Sequence, residues 1–227
     1  MQPKVIKYQE RLGDVLRCLP ACKYLADQGH EVLFDCFEKY HGVFDMVSYA
    51  KPMEAIPFDA DILDLQIWPL RYGDFIKSKK PWHDFVYSDP RIKDADKTNI
   101  ILDRLGNDPA VGLPEKYNLI APFGISQTYK RNPLEFIQIA AKELGKDNII
   151  ILCPPEVQIQ GLQTYTAPSI EQMAKAIRGA DEFWAVNSSP IILASATRRD
   201  KESRFWGEKN EAEVQNVFDF DGLIRMD

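Results

Sequence analysis

The chain of 227 residues lacks a positive excess: Lys and Arg number 28 against 34 Asp and Glu, giving a net charge of -6 and a pI near 5.2. Proteins that hold nucleic acid through its phosphates carry a basic surface. Tight non-specific binding to DNA or RNA is therefore disfavoured, and only a local basic cleft would restore it. No apolar run approaches the roughly 18 residues a membrane-spanning helix requires. A strand pattern starts directly after Met1-Gln2-Pro3-Lys4, which leaves no room for a signal peptide. Cys18 and Cys22 have no matching second pair, and only His30, His41 and His83 could add to them, so a four-ligand zinc pattern is missing. With Cys36 and Cys153 they read as buried free thiols of a cytoplasmic protein. The chain also lacks a G-x-G-x-x-G and the Gly-Lys-Ser/Thr ending of a Walker loop.

What is present is ordinary globular composition, 45% hydrophobic and 27% charged, enough for one large domain or two small ones. Val5–Gln9 reads as a strand and Asp14–Gln28 as a helix with an apolar stripe, ended by Gly29. His30–Cys36 is a second strand. This βαβ opening implies a parallel sheet. Strands are also expected at Phe44–Tyr49 and Ile62–Trp68, a short helix near Arg71–Lys77 inside an irregular segment 69–90, and a helix over Lys93–Leu105. Residues 106–114 hold two glycines and two prolines and read as a linker. The pattern then restarts. Tyr117–Pro122, Asn148–Cys153, Gln163–Thr166 and Glu182–Val186 read as strands. Pro133–Leu144, Ser169–Gly179 and a segment from Ser189 to Ala196 read as helices, Ser169 being the N-cap of its helix. The tail 198–227 is charged, then aromatic, and its Phe and Trp residues imply packing onto the body. The Arg198-Arg199-Asp200-Lys201 run reads as solvated surface.

Three strand–loop–helix corners could carry chemistry. In the first, Arg11-Leu12-Gly13-Asp14-Val15-Leu16, a tight glycine turn places Asp14 at the carboxyl end of the first strand. Open α/β sheets bind ligands in the crevice outside those ends. Asp14 is there either a general base or a cap of its own helix. In the second, Ala121–Pro133, a strand runs into a loop carrying Gly124, Ser126, Thr128, Lys130 and Arg131 before a helix start. Those are the parts of a phosphate site, and equally those of an exposed polar loop. In the third, Asn187-Ser188-Ser189-Pro190 follows a strand and opens a helix. It serves as a plain N-cap or turns backbone N–H groups toward a diphosphate.

In order and spacing the three corners resemble the ADP-heptose:lipopolysaccharide heptosyltransferase family of glycosyltransferases. The matching stretches are Leu12–Leu16 with Pro20; Pro122, Gly124, Ser126 and Lys130-Arg131-Asn132-Pro133; Pro154-Pro155-Glu156; and Asn187–Ala194. The chain departs from that pattern at Asn132, where the family has Trp, and at Asn187, Ser189 and Ile192, where it has Asp, Gly and His. It is also shorter than a usual member.

The resemblance implies an α/β fold of GT-B type, two Rossmann-like parallel-sheet domains facing a cleft. Residues 1–112 would form the acceptor-side domain and 113–227 the nucleotide-sugar domain. It implies a metal-independent inverting glycosyltransferase without a cofactor, moving a sugar from a nucleotide-sugar donor to a hydroxyl of a glycan or other acceptor. Asp14 would be the catalytic base. Gly13, Gly124, Ser126, Lys130, Glu156, Asn187, Ser188 and Ser189 would contact the donor, with Lys130 and Ser126 at the diphosphate. Trp68, Tyr72, Trp82 and His83 would either stack on an acceptor ring or pack locally, as clustered loop aromatics more often do. Two alternatives stay open: a nucleotide-sugar-binding module without catalysis, and a glycosyltransferase acting on modified nucleobases in DNA.

Overall fold

A computed structural model of the chain describes residues 2–124, 132–206 and 222–226. The chain divides into two compact units between Leu105 and Gly106, seven residues before the expected 112/113 boundary. The intervening residues pack with the second unit. Arg178 donates to the Gly106 carbonyl (2.7 Å), the Val111 N–H donates to the Gln172 side chain (2.8 Å), and Lys175 pairs with Asp108 (2.7 Å).

In the first unit β1 (Lys4–Lys7) leads into α1 (Leu12–Asp27), then β2 (Val32–Asp35), β3 (Lys51–Pro52) and β4 (Asp61–Asp64). The sheet order is β3-β2-β1-β4, with every pair parallel. The apolar stripe of α1 buries Val15, Leu16, Leu19, Cys22 and Leu25. Gly29, at φ 85°, supplies the left-handed residue that ends it. Cys18, Cys22, Cys36 and Cys153 are free thiols, three of them buried.

Two expected elements differ. Phe44–Tyr49 is no strand: Glu38–Met46 forms a 3₁₀ helix that buries Val43, Phe44 and Met46, and Phe44 packs 5.3 Å from the Phe34 ring. Its apolar residues are satisfied by burial rather than by sheet pairing. Lys93–Leu105 is a series of turns, not a helix. Its polar groups are used across the unit instead: the Arg104 N–H donates to the Met46 carbonyl, the Tyr49 hydroxyl to the Ile101 carbonyl, and the Ser48 N–H to Asp103. The segment before it contains α2 (Tyr72–Ser78), as expected, and α3 (Trp82–Val86).

The second unit contains β5 (Asn118–Ala121), α4 (Pro133–Leu144), β6 (Ile149–Leu152), β7 (Gln163–Tyr165), α5 (Ile170–Gly179), β8 (Phe183–Val186), α6 (Ser189–Thr197), β9 (Ser203–Trp206) and β10 (Leu223–Met226). The sheet order is β10-β9-β8-β5-β6-β7, again with every pair parallel. β6 and β8 are buried along their whole length, as strands covered on both faces must be. Asn132 accepts from the Leu134 N–H to start α4, with Pro133 in the first turn. Ser169 accepts from the Gln172 N–H to start α5. The core gathers Ile120, Phe136, Ile149, Ile151 and Trp184. Trp206 of the tail stacks on Phe136 with ring centroids 4.6 Å apart, so residues 203–206 pack onto the body as a strand.

The run at 198–201 is not all surface. Arg198 is fully buried. It donates to the carbonyls of Ile177, Ala180, Asp181 and Glu202, the end of α5 and the turns beyond it.

Candidate functional site

β1 ends at Lys7, and the chain bends through Tyr8, Gln9 and Glu10 before α1 begins. Arg11 occupies the N-cap position. Gly13 lies in the first turn of the helix rather than in a tight turn before it. Asp14 is the third helical residue, so it is not the cap of α1. That placement puts its carboxylate near the positive end of the helix.

Asp14 is largely buried, and Arg17, one turn on, places a guanidinium nitrogen 3.8 Å from it. Burial raises the Asp14 pKa above the ordinary carboxylate value. Arg17, Arg11 and a hydrogen bond from Tyr8 oppose that rise. The Arg17 guanidinium also lies over the Trp82 ring, 5.1 Å from its centroid. The Tyr8 and Trp82 rings are 5.8 Å apart. A carboxyl group with a raised pKa at a strand's carboxyl end has the character of a general base.

A second acid sits beside it. Burial and the Asp14 charge both raise the Glu10 pKa. Glu10 accepts from Gln66 (3.4 Å), and its carbonyl accepts from the Tyr40 hydroxyl (3.2 Å). Gln9 donates to Asp35 at the end of β2 (2.9 Å). Sequence reading singled out none of Tyr8, Glu10 or Arg17. The available signal was the spacing of Glu10 and Asp14 around Leu12-Gly13, together with a cation one turn after the acid.

The aromatic residues separate into two groups. Trp82 and His83 are buried, with rings 5.3 Å apart, so neither is placed to stack on an acceptor ring. Burial, reinforced by Arg17 and Lys97, lowers the His83 pKa to about 3. Trp68 and Tyr72 are exposed and meet edge to face at 5.0 Å.

In the second unit, the ends of the neighbouring strands β5 and β8 bring Gly124, Asn187 and Ser188 together. A Cβ on Gly124 would lie 3.1 Å from the Asn187 carbonyl oxygen and 3.5 Å from the Ser188 Cβ. Glycine is what permits this approach. Ser188 is the N-cap of α6, but its hydroxyl donates to the Val186 carbonyl (3.2 Å) and makes no capping bond. Ser189 is the first helical residue and Pro190 follows it. The start of α6 therefore has no side-chain cap, which suits it to an anion. Asn187 is buried, and Ile192 belongs to the apolar core. Glu156 is exposed in the turn after β6, beyond the strand that neighbours β5. Ser126 and Lys130 lie outside the described residues.

The chain thus has an α/β fold of two units, each built on an all-parallel sheet, and solved glycosyltransferase structures share that fold. No family model matches the chain, and no curated protein sequence matches it either. Among solved structures, the bacterial iron-containing dodecameric glycosyltransferase TibC from enterotoxigenic E. coli is similar over 98% of this chain, at 16% identity and a TM-score of 0.66. TibC has also been solved, as a heptosyltransferase, with ADP-D-beta-D-heptose. The E. coli heptosyltransferase WaaC with ADP-2-deoxy-2-fluoro heptose is similar over 99% of this chain and 93% of its own, at 10% identity and a TM-score of 0.59. A glycosyl transferase family 9 protein from Veillonella parvula is similar over 99% of this chain and 85% of its own, at 10% identity and a TM-score of 0.58. The chain spans 62% of the length of TibC.

Among the described residues there is no group of three or more His, Cys, Asp or Glu able to hold a metal ion. Among the described residues no helix is long and apolar enough to cross a membrane.

Proposed function

We propose that this protein is a glycosyltransferase that moves a sugar from a nucleotide-sugar donor to an acceptor hydroxyl, with inversion and without a metal ion. The observation that carries the reading is Asp14: a mostly buried carboxyl group with a raised pKa, at the carboxyl end of the first strand. The ionised carboxylate takes the proton of the acceptor hydroxyl. The freed oxygen attacks the anomeric carbon, and the bond from that carbon to the diphosphate oxygen breaks, releasing a nucleoside diphosphate. One displacement inverts the anomeric centre.

The leaving group gathers negative charge, which backbone N–H groups, a helix start and a lysine can stabilise without a cation. The uncapped start of α6, with Gly124, Asn187, Ser188 and Ser189, supplies the first two. Lys130 and Ser126 supply the rest of the diphosphate site in this reading, and Glu156 and Gly13 complete its donor contacts. The acceptor is a glycan or another molecule bearing a hydroxyl group, and the unit containing Asp14 is its side of the reaction.

The rival reading, a nucleotide-sugar-binding module without catalysis, is favoured by Ile192. It stands in the apolar core where the resembling family has a histidine, and it cannot hydrogen-bond a donor.

Titration calorimetry against a panel of nucleotide sugars, paired with detection of released nucleoside diphosphate, separates the two. The expected result is donor binding by both wild type and Asp14→Asn, with transfer by the wild type alone. Binding without transfer by the wild type establishes the module instead, and full turnover by Asp14→Asn removes Asp14 as the base.

A further inference from the structure

Most exposed apolar side chains on a protein surface stand singly and call for no explanation, whereas contiguous ones mark a contact surface. Residues 68–76 expose four large apolar side chains within nine positions: Trp68 (53%), Leu70 (91%), Tyr72 (44%) and Ile76 (48%). Trp68 and Tyr72 touch edge to face, 5.0 Å between centroids. Tyr72 and Ile76 are four residues apart on α2 and so share one face of that helix. Phe75, three residues after Tyr72, is buried and packs on Phe85 at 5.3 Å, so α2 is anchored at one edge of the strip while Tyr72 and Ile76 stay exposed.

Its charge is equally uneven. Residues 68–80 carry Arg71, Lys77, Lys79 and Lys80 against Asp74 alone, four cations less one acid or a net +3, in a chain whose net charge is -6. Among the described residues no ion pair engages Lys77, Lys79 or Lys80, and all three are exposed. A Trp and a Tyr beside aliphatic side chains, flanked by exposed lysines, match the two requirements of an interfacial segment. Apolar groups enter the boundary between headgroup and acyl chain, and cations meet anionic headgroups.

We infer that the Trp68–Lys80 segment docks the protein on an anionic phospholipid surface, with Trp68, Leu70, Tyr72 and Ile76 entering the interface and Lys77, Lys79 and Lys80 bound to headgroups. The inference is independent of sugar transfer and holds whether or not the chain is an enzyme.

Trp68 gives a direct readout, because the other three tryptophans, Trp82, Trp184 and Trp206, are buried. The full-length protein is mixed with phosphatidylcholine vesicles and with vesicles containing 30% phosphatidylglycerol. Co-sedimentation, Trp emission and acrylamide quenching are recorded at low salt and in 0.5 M NaCl. The expected result is at least tenfold more bound protein on the anionic vesicles, a blue shift with loss of quenching, and release by salt. Two variants test the two halves of the segment. Leu70→Ser with Ile76→Ser lowers binding at all salt concentrations, whereas Lys77→Gln with Lys79→Gln and Lys80→Gln removes the preference for anionic lipid. Near-UV circular dichroism confirms that both remain folded.

The inference is overturned by equal binding to the two vesicle types, or by wild-type binding in both variants. It is also overturned if the emission shift comes from soluble oligosaccharide rather than vesicles, which would make the strip a glycan platform. A dimer that dissociates in the Leu70→Ser, Ile76→Ser variant would overturn it too, because a second copy would then be the occupant.

Discussion

Asp14 and Arg17 face each other across one turn of α1, with 3.8 Å between carboxylate oxygen and guanidinium nitrogen. The acid is held above its ordinary pKa by burial and pulled back by the cation. Removing the cation takes away what favours the ionised form. In Arg17→Met the Asp14 pKa therefore rises. In the proposed transfer Asp14 is the base and works only when ionised, so the acidic limb of its kcat/KM profile moves to higher pH. Carboxyl ¹³C chemical shifts measured against pH report the Asp14 titration directly, including in the absence of substrate. A downward shift would mean that Arg17 does not stabilise the Asp14 carboxylate.

Gly124 leaves no room for a side chain. In Gly124→Ala the new methyl meets the Asn187 carbonyl oxygen at 3.1 Å, and the ends of β5 and β8 must part by a few tenths of an ångström. Overpacking of this kind costs about 1–2 kcal/mol, measurable by urea unfolding. Nucleoside-diphosphate affinity, measured by calorimetry, should fall in the same variant. A variant with unchanged stability and affinity would show that the corner yields freely.

Arg198 connects the end of α5 to the turn before β9 by donating to the Ile177, Asp181 and Glu202 carbonyls. Replacing it with Met keeps most of the volume but strands several buried acceptors. A loss of about 3 kcal/mol is expected, read from chemical unfolding. Arg199→Met, at an exposed neighbour whose guanidinium bonds the Ser195 carbonyl, should cost less.

His83 makes stability depend on pH. Its folded pKa is pushed down to about 3, while in the unfolded chain it titrates near 6.5. Between those values the unfolded state binds a proton that the folded state refuses. The contribution of neutral His83 is therefore complete above 6.5 and is lost progressively as pH falls toward 3. His83→Leu should flatten that part of the curve of unfolding free energy against pH. An unchanged slope would assign the acid sensitivity to other groups.

Much of the second unit was legible in the sequence. Pro133–Leu144 matches its expected bounds, Ser169 caps α5, and the apolar runs at 118–121, 149–152 and 183–186 are strands. These elements announce themselves through local signals: a capping side chain, a proline in the first turn, a short β-branched run. The first unit was harder to read. Phe44–Tyr49 and Lys93–Leu105 have the right residues for a strand and a helix, but each satisfies its polar groups by bonding the other segment. No local pattern encodes that exchange. β3, β9 and β10 went unread because strands of two or four residues carry little periodicity of their own.

For the candidate site, the sequence by itself placed Asp14, Gly124 and Asn187 just after β1, β5 and β8, because a strand–loop–helix unit delivers the segment after each strand to the carboxyl end of a parallel sheet. It could not determine environment. Only the tertiary structure decided that Asp14 is buried beside Arg17 and Glu10, that Gly124 touches Asn187, that His83 and Arg198 are inside, and that Trp68 is outside. Burial and charge proximity arise from residues far apart in the chain, and those two quantities set a pKa, a close approach or an exposed face.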